Sequence, residues 1–183
     1  MDDAIEIRPF ASGTDYEGMV DYFVTSSESF LLGMGVEVSK LPTREAWLED
    51  VLADHERADP DRNRFYVAWL VDGELVGHSS ISHITFGQTA NCHMHMWRPT
   101  LRRSGHGVEF MARSIDLYFT RFRLMTLGCE PYAENPAPNA ALTKLGFKPT
   151  RRFRTVPSKI AIEQEVQRYE VSRDRWFDMR AGS

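Results

Sequence analysis

The chain has 183 residues, of which 42% are hydrophobic and 26% charged, and its formal net charge at pH 7 is -4. These values are ordinary for a globular protein, so we predict a single domain over residues 1–183. The acidic balance disfavours a general nucleic-acid binder, and no apolar run approaches the roughly 18 residues of a membrane span, so neither nucleic acid nor a membrane is an expected partner.

The first part of the chain predicts one strand and two helices. Ile5 and Ile7 alternate with charged residues before Pro9, which indicates a short half-buried strand. Thr14 to Glu17 has the form of a capping box and opens a helix. Its apolar side comprises Tyr16, Met19, Val20 and Phe23.

The second helix is predicted to begin at Pro42-Thr43. Its inward side would comprise Trp47, Leu48, Val51 and Leu52. The intervening stretch Ser26 to Lys40 is apolar but interrupted by two glycines, and it is interpreted as a mobile loop or lid. Phe30 and Met34 in that stretch would either face the substrate or pack into the core.

Three antiparallel strands are predicted in the middle of the chain. Phe65 to Val71 and Glu74 to Ile84 are apolar runs joined by Asp72-Gly73, which suits a type I′ hairpin turn. Cys92 to Trp97 would form the third strand. Cys92 and Cys129, the only two cysteines, are expected to be buried free thiols in a reducing compartment, with a disulfide as the alternative. Together with the acidic N-terminus, which lacks a long apolar run, this predicts a cytoplasmic protein.

A strand-to-helix turn follows at residues 102–108, with the sequence Arg-Arg-Ser-Gly-His-Gly-Val. The helix after it is indicated by apolar residues at three- and four-residue steps from Val108 to Phe122. The start of a helix offers unpaired N–H groups and partial positive charge, and glycines let the backbone approach an anion. The turn therefore predicts a phosphate site, although a glycine-rich loop that only caps a helix has a similar sequence.

The last part of the chain completes a mixed sheet. A strand is predicted over Leu124 to Glu130, a short helix over Pro136 to Leu145, and two strands over Phe147 to Val156 and Gln164 to Val171. The order βααβββαβαββ indicates an α+β fold, in which a mostly antiparallel twisted sheet carries helices on both faces. The apolar run Tyr169 to Trp176 could extend the last strand and pair across a homodimer.

Two motifs together resemble a known family. The Arg-x-x-Gly-x-Gly turn from Arg102 to Gly107 is followed by a strand and then by Asn135-x(8)-Lys144-x-Gly-Phe. This pair is similar to the signature motifs of the GNAT superfamily of N-acetyltransferases, and most similar to its ribosomal-protein N-terminal acetyltransferase branch. The resemblance implies the GNAT fold, acetyl-CoA as co-substrate, and direct attack on the thioester by the primary amine of a small metabolite or a protein N-terminus.

The resemblance also implies which residues meet the cofactor. The turn would bind the pyrophosphate, the end of the preceding strand would meet the thioester carbonyl, and two asparagines would contact the pantetheine arm. The cofactor-binding residues expected on this basis are Met96, Trp97, Arg102, Arg103, Ser104, Gly105, His106, Gly107, Val108, Asn135 and Asn139. The alternative for Asn135 and Asn139 is helix capping.

The amine must lose a proton before it attacks, so a general base is expected. Glu130 and His95 are the candidates by position. Many GNAT relatives carry a tyrosine acid where this chain has Leu142, so either Tyr132 replaces it or the thiolate, with a pKa of about 8.5, leaves unaided. His93 and His95 share a strand face, but no third ligand stands at a recognisable spacing, so no metal is predicted.

Several other interpretations remain open from the sequence. The acceptor pocket would lie between the 26–40 stretch and the late strands. Arg151, Arg152 and Arg154 would attract an acidic acceptor or form a solvated strand face. Two other classes of function are a catalytically silent acyl-CoA or ligand-binding module and an RNA-associated module that uses these arginines with Phe153 and Tyr169.

Overall fold

A seven-stranded sheet organises the protein, as seen in a computed structural model that describes residues 4–11 and 13–182. The strands are β1 (Ile5–Pro9), β2 (Arg64–Val71), β3 (Glu74–Thr85), β4 (Thr89–Met96), β5 (Thr126–Cys129), β6 (Lys148–Thr155) and β7 (Gln164–Ser172). Their order across the sheet is β1-β2-β3-β4-β5-β7-β6, and every neighbouring pair is antiparallel except β4 and β5. The predicted mixed, mostly antiparallel α+β fold is confirmed.

Helices cover both faces of this sheet. They are α1 (Gly13–Val24), α2 (Glu28–Gly33), α3 (Arg44–His55), α4 (His106–Arg121), α5 (Pro136–Lys144) and α6 (Arg173–Ala181). Side chains of a strand alternate between faces, and Trp69 joins a core with α4 to α6, whereas Ala68 and Leu70 join a core with α1 to α3. Each face of the sheet is therefore buried under its own helical layer.

The stretch Ser26 to Lys40, interpreted from the sequence as a mobile loop or lid, is folded in part as a helix. It contains α2, whose first turn is capped by Ser27, and Leu31 of this helix is buried. Gly35 has a φ of 80°, a conformation that lets the chain turn away just after α2. It therefore helps to end the helix and does not prevent its formation. Val36 then forms a β-bridge with Ala161, which ties this segment to the loop between β6 and β7.

The C-terminal apolar run also differs from the prediction. Strand β7 ends at Ser172, whose side chain caps α6, so the extended strand expected through Trp176 is wrong. The Trp176 ring is buried, and its Nε1 donates to Asp116 of α4 at 2.7 Å. This tryptophan therefore packs within the chain, and it is not available to extend a strand toward a second copy.

The parallel pair β4 and β5 creates the opening that matters for function. The two strands pair only at Thr89 with Thr126, Ala90 with Leu127, and Asn91 with Gly128. Beyond these pairs each strand continues without the other, and α4 begins near the carboxyl end of β4. A gap between the carboxyl ends of parallel strands is a common ligand site. No helix within the described residues is long and apolar enough to cross a membrane.

Candidate active site

The turn before α4 has the backbone shape of an anion site. Gly105 precedes the helix with φ 95°, and Arg103 has φ 64°, so two left-handed residues flank Ser104. Such alternation turns successive N–H groups toward one point, where the helix dipole adds positive charge. A Cβ added at Gly105 or Gly107 would meet no atom within 4 Å, so neighbouring side chains do not fill the space above either glycine. The turn can therefore accept a phosphate group.

The side chains of the turn divide into tethered and exposed groups. Arg102 donates from Nε and Nη2 to the Met96 carbonyl at 3.2 and 3.0 Å, and its guanidinium lies 4.7 Å from the centre of the Phe30 ring. Ser104 Oγ donates to the Leu101 carbonyl at 2.7 Å. Arg103 is exposed. Arg102 is therefore held against β4 and α2.

The end of β4 is held close to β3. Met96 is the last residue of the strand, so Trp97, predicted inside it, follows it. The Trp97 backbone N–H donates to Val76, and its indole Nε1 donates to His78 Nδ1 at 2.9 Å. A Cβ on Gly77 would lie 2.5 Å from the His95 carbonyl, so only glycine permits this approach. The strand edge facing the gap is thereby fixed in position.

A group of imidazoles lies on the α1 face of the sheet. His95 stacks on His78 with centroids 4.9 Å apart, and Tyr22 and Phe23 contact the His95 ring by their edges. Burial lowers the pKa of His95 to about 3 and that of His93 to about 4, with neighbouring imidazoles adding to both shifts. Both rings are therefore neutral near pH 7.

His78 joins this face, and its pKa is also well below the ordinary value because the ring is buried. Among the described residues, no three His, Cys, Asp or Glu side chains are grouped to hold a metal ion. Cys92 and Cys129 are both buried and free, and Cys129 Sγ lies 3.1 Å from the Cys92 carbonyl.

Glu130 leaves the end of β5 within a charged network. Its Oε1 accepts from Arg168 Nη1 at 2.5 Å, and Arg168 Nε donates to Glu170 at 2.6 Å. A Cβ on Gly128 would lie 2.9 Å from Arg168 Nη2, so this glycine makes room for the guanidinium. Two carboxylates therefore share one arginine, and on the neighbouring strand Arg151 lies opposite Arg168 and Lys148 opposite Glu170. Arg168 carries no local sequence signal for this position, since only the pairing of β7 with β5 brings it here.

The residues after β5 form a compact corner. Tyr132 makes a β-bridge with Val166, and its carbonyl accepts from Asn139 Nδ2 at 3.0 Å. The same Nδ2 donates to the Asn135 carbonyl at 2.6 Å, while Asn135 Oδ1 caps α5 by accepting from the backbone of Ala137 at 3.4 Å. Asn135 therefore caps α5, as the alternative to cofactor binding suggested, whereas Asn139 lies within α5 and does not cap it. These contacts use Asn139 Nδ2 and Asn135 Oδ1.

A cleft of about 540 Å³ lies between α1, α2 and the turn after β4. Its lining comprises Gly18, Asp21, Tyr22, Thr25, Ser26, Ser27, Phe30, Trp97, Pro99 and Arg102. Phe30 therefore faces a cleft, as one of its two interpretations suggested, whereas Met34 Sδ lies 3.4 Å from the Tyr22 hydroxyl. Asp21 is paired with Arg44, and this hydrogen-bonded ion pair lowers the pKa of the Asp21 carboxyl.

The arginines of β6 are engaged with neighbouring groups. Arg152 pairs with Glu134 at 2.7 Å and with Glu165 at 2.6 Å, and the Arg151 guanidinium lies 4.4 Å from the centre of the Phe153 ring. Arg154 lies 3.7 Å from Glu163. A solvated strand face with balanced charge describes this surface better than a cationic patch.

Comparison with known proteins identifies the family. A model of the acetyltransferase (GNAT) domain matches residues 5–148, which is most of the chain. The chain belongs to the GNAT acetyltransferase family. The match extends from β1 through the phosphate turn to the start of β6, so it includes both motifs that carried the resemblance. A search of curated proteins by sequence finds no match.

Solved structures with the same GNAT fold cover nearly the whole chain. The ribosomal-protein-S5-alanine acetyltransferase of Vibrio fischeri has a TM-score of 0.75 at 17% identity and covers 96% of this chain and 97% of its own. Spermidine N-acetyltransferase of Vibrio cholerae, solved with CoA and spermine, has a TM-score of 0.75 at 16% identity, with coverages of 94% and 98%. RimL, a ribosomal L7/L12 α-N-protein acetyltransferase solved with CoA, has a TM-score of 0.74 at 14% identity, with coverages of 93% and 95%. At such identities the likeness concerns the fold.

Proposed function

We propose that this GNAT chain is an enzyme that transfers the acetyl group of acetyl-CoA to a primary amine. The main observation in support is the left-handed turn at the start of α4, whose glycines face free space beside the gap between β4 and β5. An anion site at the carboxyl end of two diverging strands suits a long cofactor with a pyrophosphate. The acceptor would be a small amine or a protein N-terminus, the two kinds named for the similar structures.

The cofactor side would rely mainly on the backbone. The N–H groups from Arg103 to Val108 would bind the pyrophosphate, with Arg103 as an exposed cation beside it. The Met96 N–H and the Trp97 carbonyl would meet the thioester and its arm, since the Met96 carbonyl accepts from Arg102 and the Trp97 N–H donates to Val76. The other amide atom of each asparagine, Asn135 Nδ2 and Asn139 Oδ1, makes none of the contacts described above and would contact the pantetheine.

On the acceptor side, Glu130 would take the proton that the ammonium must lose before attack. His95 was an equal candidate by sequence, but a pKa near 3 makes it a weak base, so we assign it to the wall of the site. Attack of the neutral amine on the thioester carbon forms the amide bond and breaks the carbon–sulfur bond, and the nitrogen then gives up a second proton, which would restore the acid that protonates the thiolate.

The departing thiolate takes a proton to become the free thiol. Leu142, at the position of the acid in many GNAT relatives, is fully buried and has no proton to give. Tyr132 is our candidate donor, because it is the first residue with a titratable side chain along the sequence after Glu130, just beyond β5.

The test is calorimetry with acetyl-CoA, free CoA and ATP, followed by thiol release with a panel of amines. Spermidine and tetrapeptides beginning with alanine or serine cover the two acceptor kinds. We expect micromolar acetyl-CoA binding, no ATP binding, and thiol release with at least one amine. Binding without turnover would favour the silent acyl-CoA module instead, which the loss of the acid at Leu142 motivates. No binding would overturn the proposal.

A further inference from the structure

The side chains of His93, Ser82 and His83 form a hydrogen-bonded chain. It runs from the α1 face of the sheet, which we call the acceptor face because Glu130 would meet the amine there, to solvent. His93 Nε2 lies 2.8 Å from Ser82 Oγ, and Ser82 Oγ lies 3.1 Å from His83 Nδ1. His93 is partly buried on β4 beyond the last residue that pairs with β5, whereas His83 is exposed. The chain therefore begins beside the gap and ends in water.

An irregularity in β3 makes this arrangement possible. The register between β3 and β4 shifts between Ser82 and Thr85, and His83 within that interval has a φ of 51°. A left-handed conformation is uncommon for a residue other than glycine, and such strain often accompanies function. In a regular strand His83 would point to the face opposite Ser82, since side chains alternate. The left-handed residue lets its ring reach the Ser82 hydroxyl instead.

Each member has the chemistry to pass on a proton. A neutral imidazole accepts at one nitrogen and donates at the other, and a hydroxyl accepts and donates through one oxygen. His93 uses Nε2 toward Ser82, which leaves Nδ1 as its second site. His83 uses Nδ1 toward Ser82, and its Nε2 is the remaining site on an exposed ring.

We propose that His93, Ser82 and His83 form the exit path for the proton that the acceptor amine releases. The inference rests on the proposed acetyl transfer, in which Glu130 takes that proton first. His93 Nδ1 would receive it from Glu130 directly or through water, and the Nε2 proton would move to Ser82 Oγ. The Ser82 hydroxyl proton would move to His83 Nδ1, and His83 Nε2 would release its own proton to solvent, so one proton enters and one leaves.

The charges around His93 suit a group that passes a proton without keeping it. Burial and the imidazole of His83 on β3 lower its pKa, while Glu130 beyond β5 raises it less. Glu130 is itself paired with Arg168 of β7, and the neutral His95 lies two residues along β4. A ring in these surroundings stays neutral near pH 7 and releases a proton readily to its partner.

The variant His83→Gly distinguishes a role of His83 in proton transfer from a purely structural role. Glycine adopts positive φ at no steric cost, so His83→Gly should keep or raise the melting temperature while removing the imidazole. We expect kcat with the most active panel amine to fall about tenfold, with KM unchanged; this is less than the roughly 100-fold or more of a group at the reacting atoms, because His83 lies at the solvent end of the path. Added imidazole should restore the rate, and Ser82→Ala should lower kcat similarly.

The matched control is Thr85→Ala, on the other side of the same irregularity, which should leave kcat unchanged. A second measurement does not need turnover: the ¹⁵N shifts of both His83 and His93 should change on Ser82→Ala. An active wild type whose variants keep full kcat, ignore added imidazole or show unchanged shifts would overturn the relay alone. A wild type that binds acetyl-CoA but acetylates none of the amines would overturn the proposed function and the relay with it.

Discussion

The two halves of the proposed site are built in different ways. The phosphate-binding part of the cofactor half is one short turn, residues 102–108, and its binding groups are mostly backbone N–H groups fixed by two left-handed residues. The acceptor half draws side chains from β3, β4, β5 and β7 into one charged and imidazole-rich face. A site made of backbone tolerates most changes of side chain, whereas a site made of side chains depends on strand register and on each residue in it.

The largest effect is expected from filling the cofactor turn. Gly107→Glu places a carboxylate where the pyrophosphate would bind, and we expect at least a 100-fold loss of acetyl-CoA affinity by calorimetry. Because acidic groups stabilise a helix start, the melting temperature should hold. Gly13→Glu is the matched control, since it makes the same change at the start of α1, where the added Cβ also meets nothing within 4 Å. Unchanged affinity in a folded Gly107→Glu protein would place the cofactor elsewhere.

Removing one charge from the acceptor half should lower the rate without changing cofactor binding, which would show that the two halves act independently. Glu130→Gln keeps the size of the side chain but cannot take a proton at neutral pH, so we expect kcat to fall about 100-fold. Acetyl-CoA affinity should stay within about twofold of wild type, because the turn does not use this residue. Steady-state kinetics and calorimetry on the same preparation measure both.

Glu170→Gln is the companion variant, since Glu170 also pairs with Arg168. Its kcat should fall much less than that of Glu130→Gln. Equal losses in both variants would mean that the network acts only by holding Arg168 in place.

A smaller effect is expected on the pH dependence of stability. The pKa of His78 is lowered in the folded protein, so below about pH 6.5 the unfolded chain takes up a proton that the folded chain does not. Stability from this source is complete above that pH and falls on acidification by up to about 1.4 kcal/mol per pH unit. In His78→Asn the amide oxygen can still accept the Trp97 N–H, so urea unfolding should show a shallower acid slope. Identical slopes would mean that His78 does not titrate in this way.

The smallest effect is expected on β6. Arg154→Ala removes a cation that lies near Glu163 and opposite Glu165, not opposite Arg168, and both kcat and KM should stay within about twofold of wild type. Binding of a fluorescent single-stranded RNA should be negligible for both proteins at 150 mM salt. Salt-sensitive RNA binding that the substitution weakens would revive the RNA-associated interpretation.

Local signals were enough to predict much of the fold and the glycine-containing turn before α4. Asp72 and Gly73 join β2 to β3 with φ values of 51° and 79°, as a type I′ turn requires, and the hairpin prediction is confirmed. The turn at 102–108 was recognised because its glycines and the following helical periodicity lie within about twenty residues. Such features depend on neighbouring residues, so periodicity and turn chemistry reveal them.

Features set by long-range pairing were not predictable. Arg168 is 38 residues from Glu130 and 77 from Asn91, and no local pattern marks it as their partner. The left-handed backbone conformation of His83 depends on a register shift between β3 and β4, and the sequence around His83 does not predict that shift. The helix α2 was not predicted for a related reason. Its apolar residues are fixed by packing and by the Val36 bridge, whereas the two glycines in this stretch indicated a loop.

The short seam between β4 and β5 has a mechanical consequence. Three residue pairs join a four-stranded block, β1 to β4, to a three-stranded block made of β5, β7 and β6. The seam has few interstrand hydrogen bonds, so amide exchange there should be fast compared with the interior of either block. A cofactor lying along both strand edges would act as additional cross-links, so loading the protein should slow exchange at Asn91 and Gly128 more than in the rest of either block.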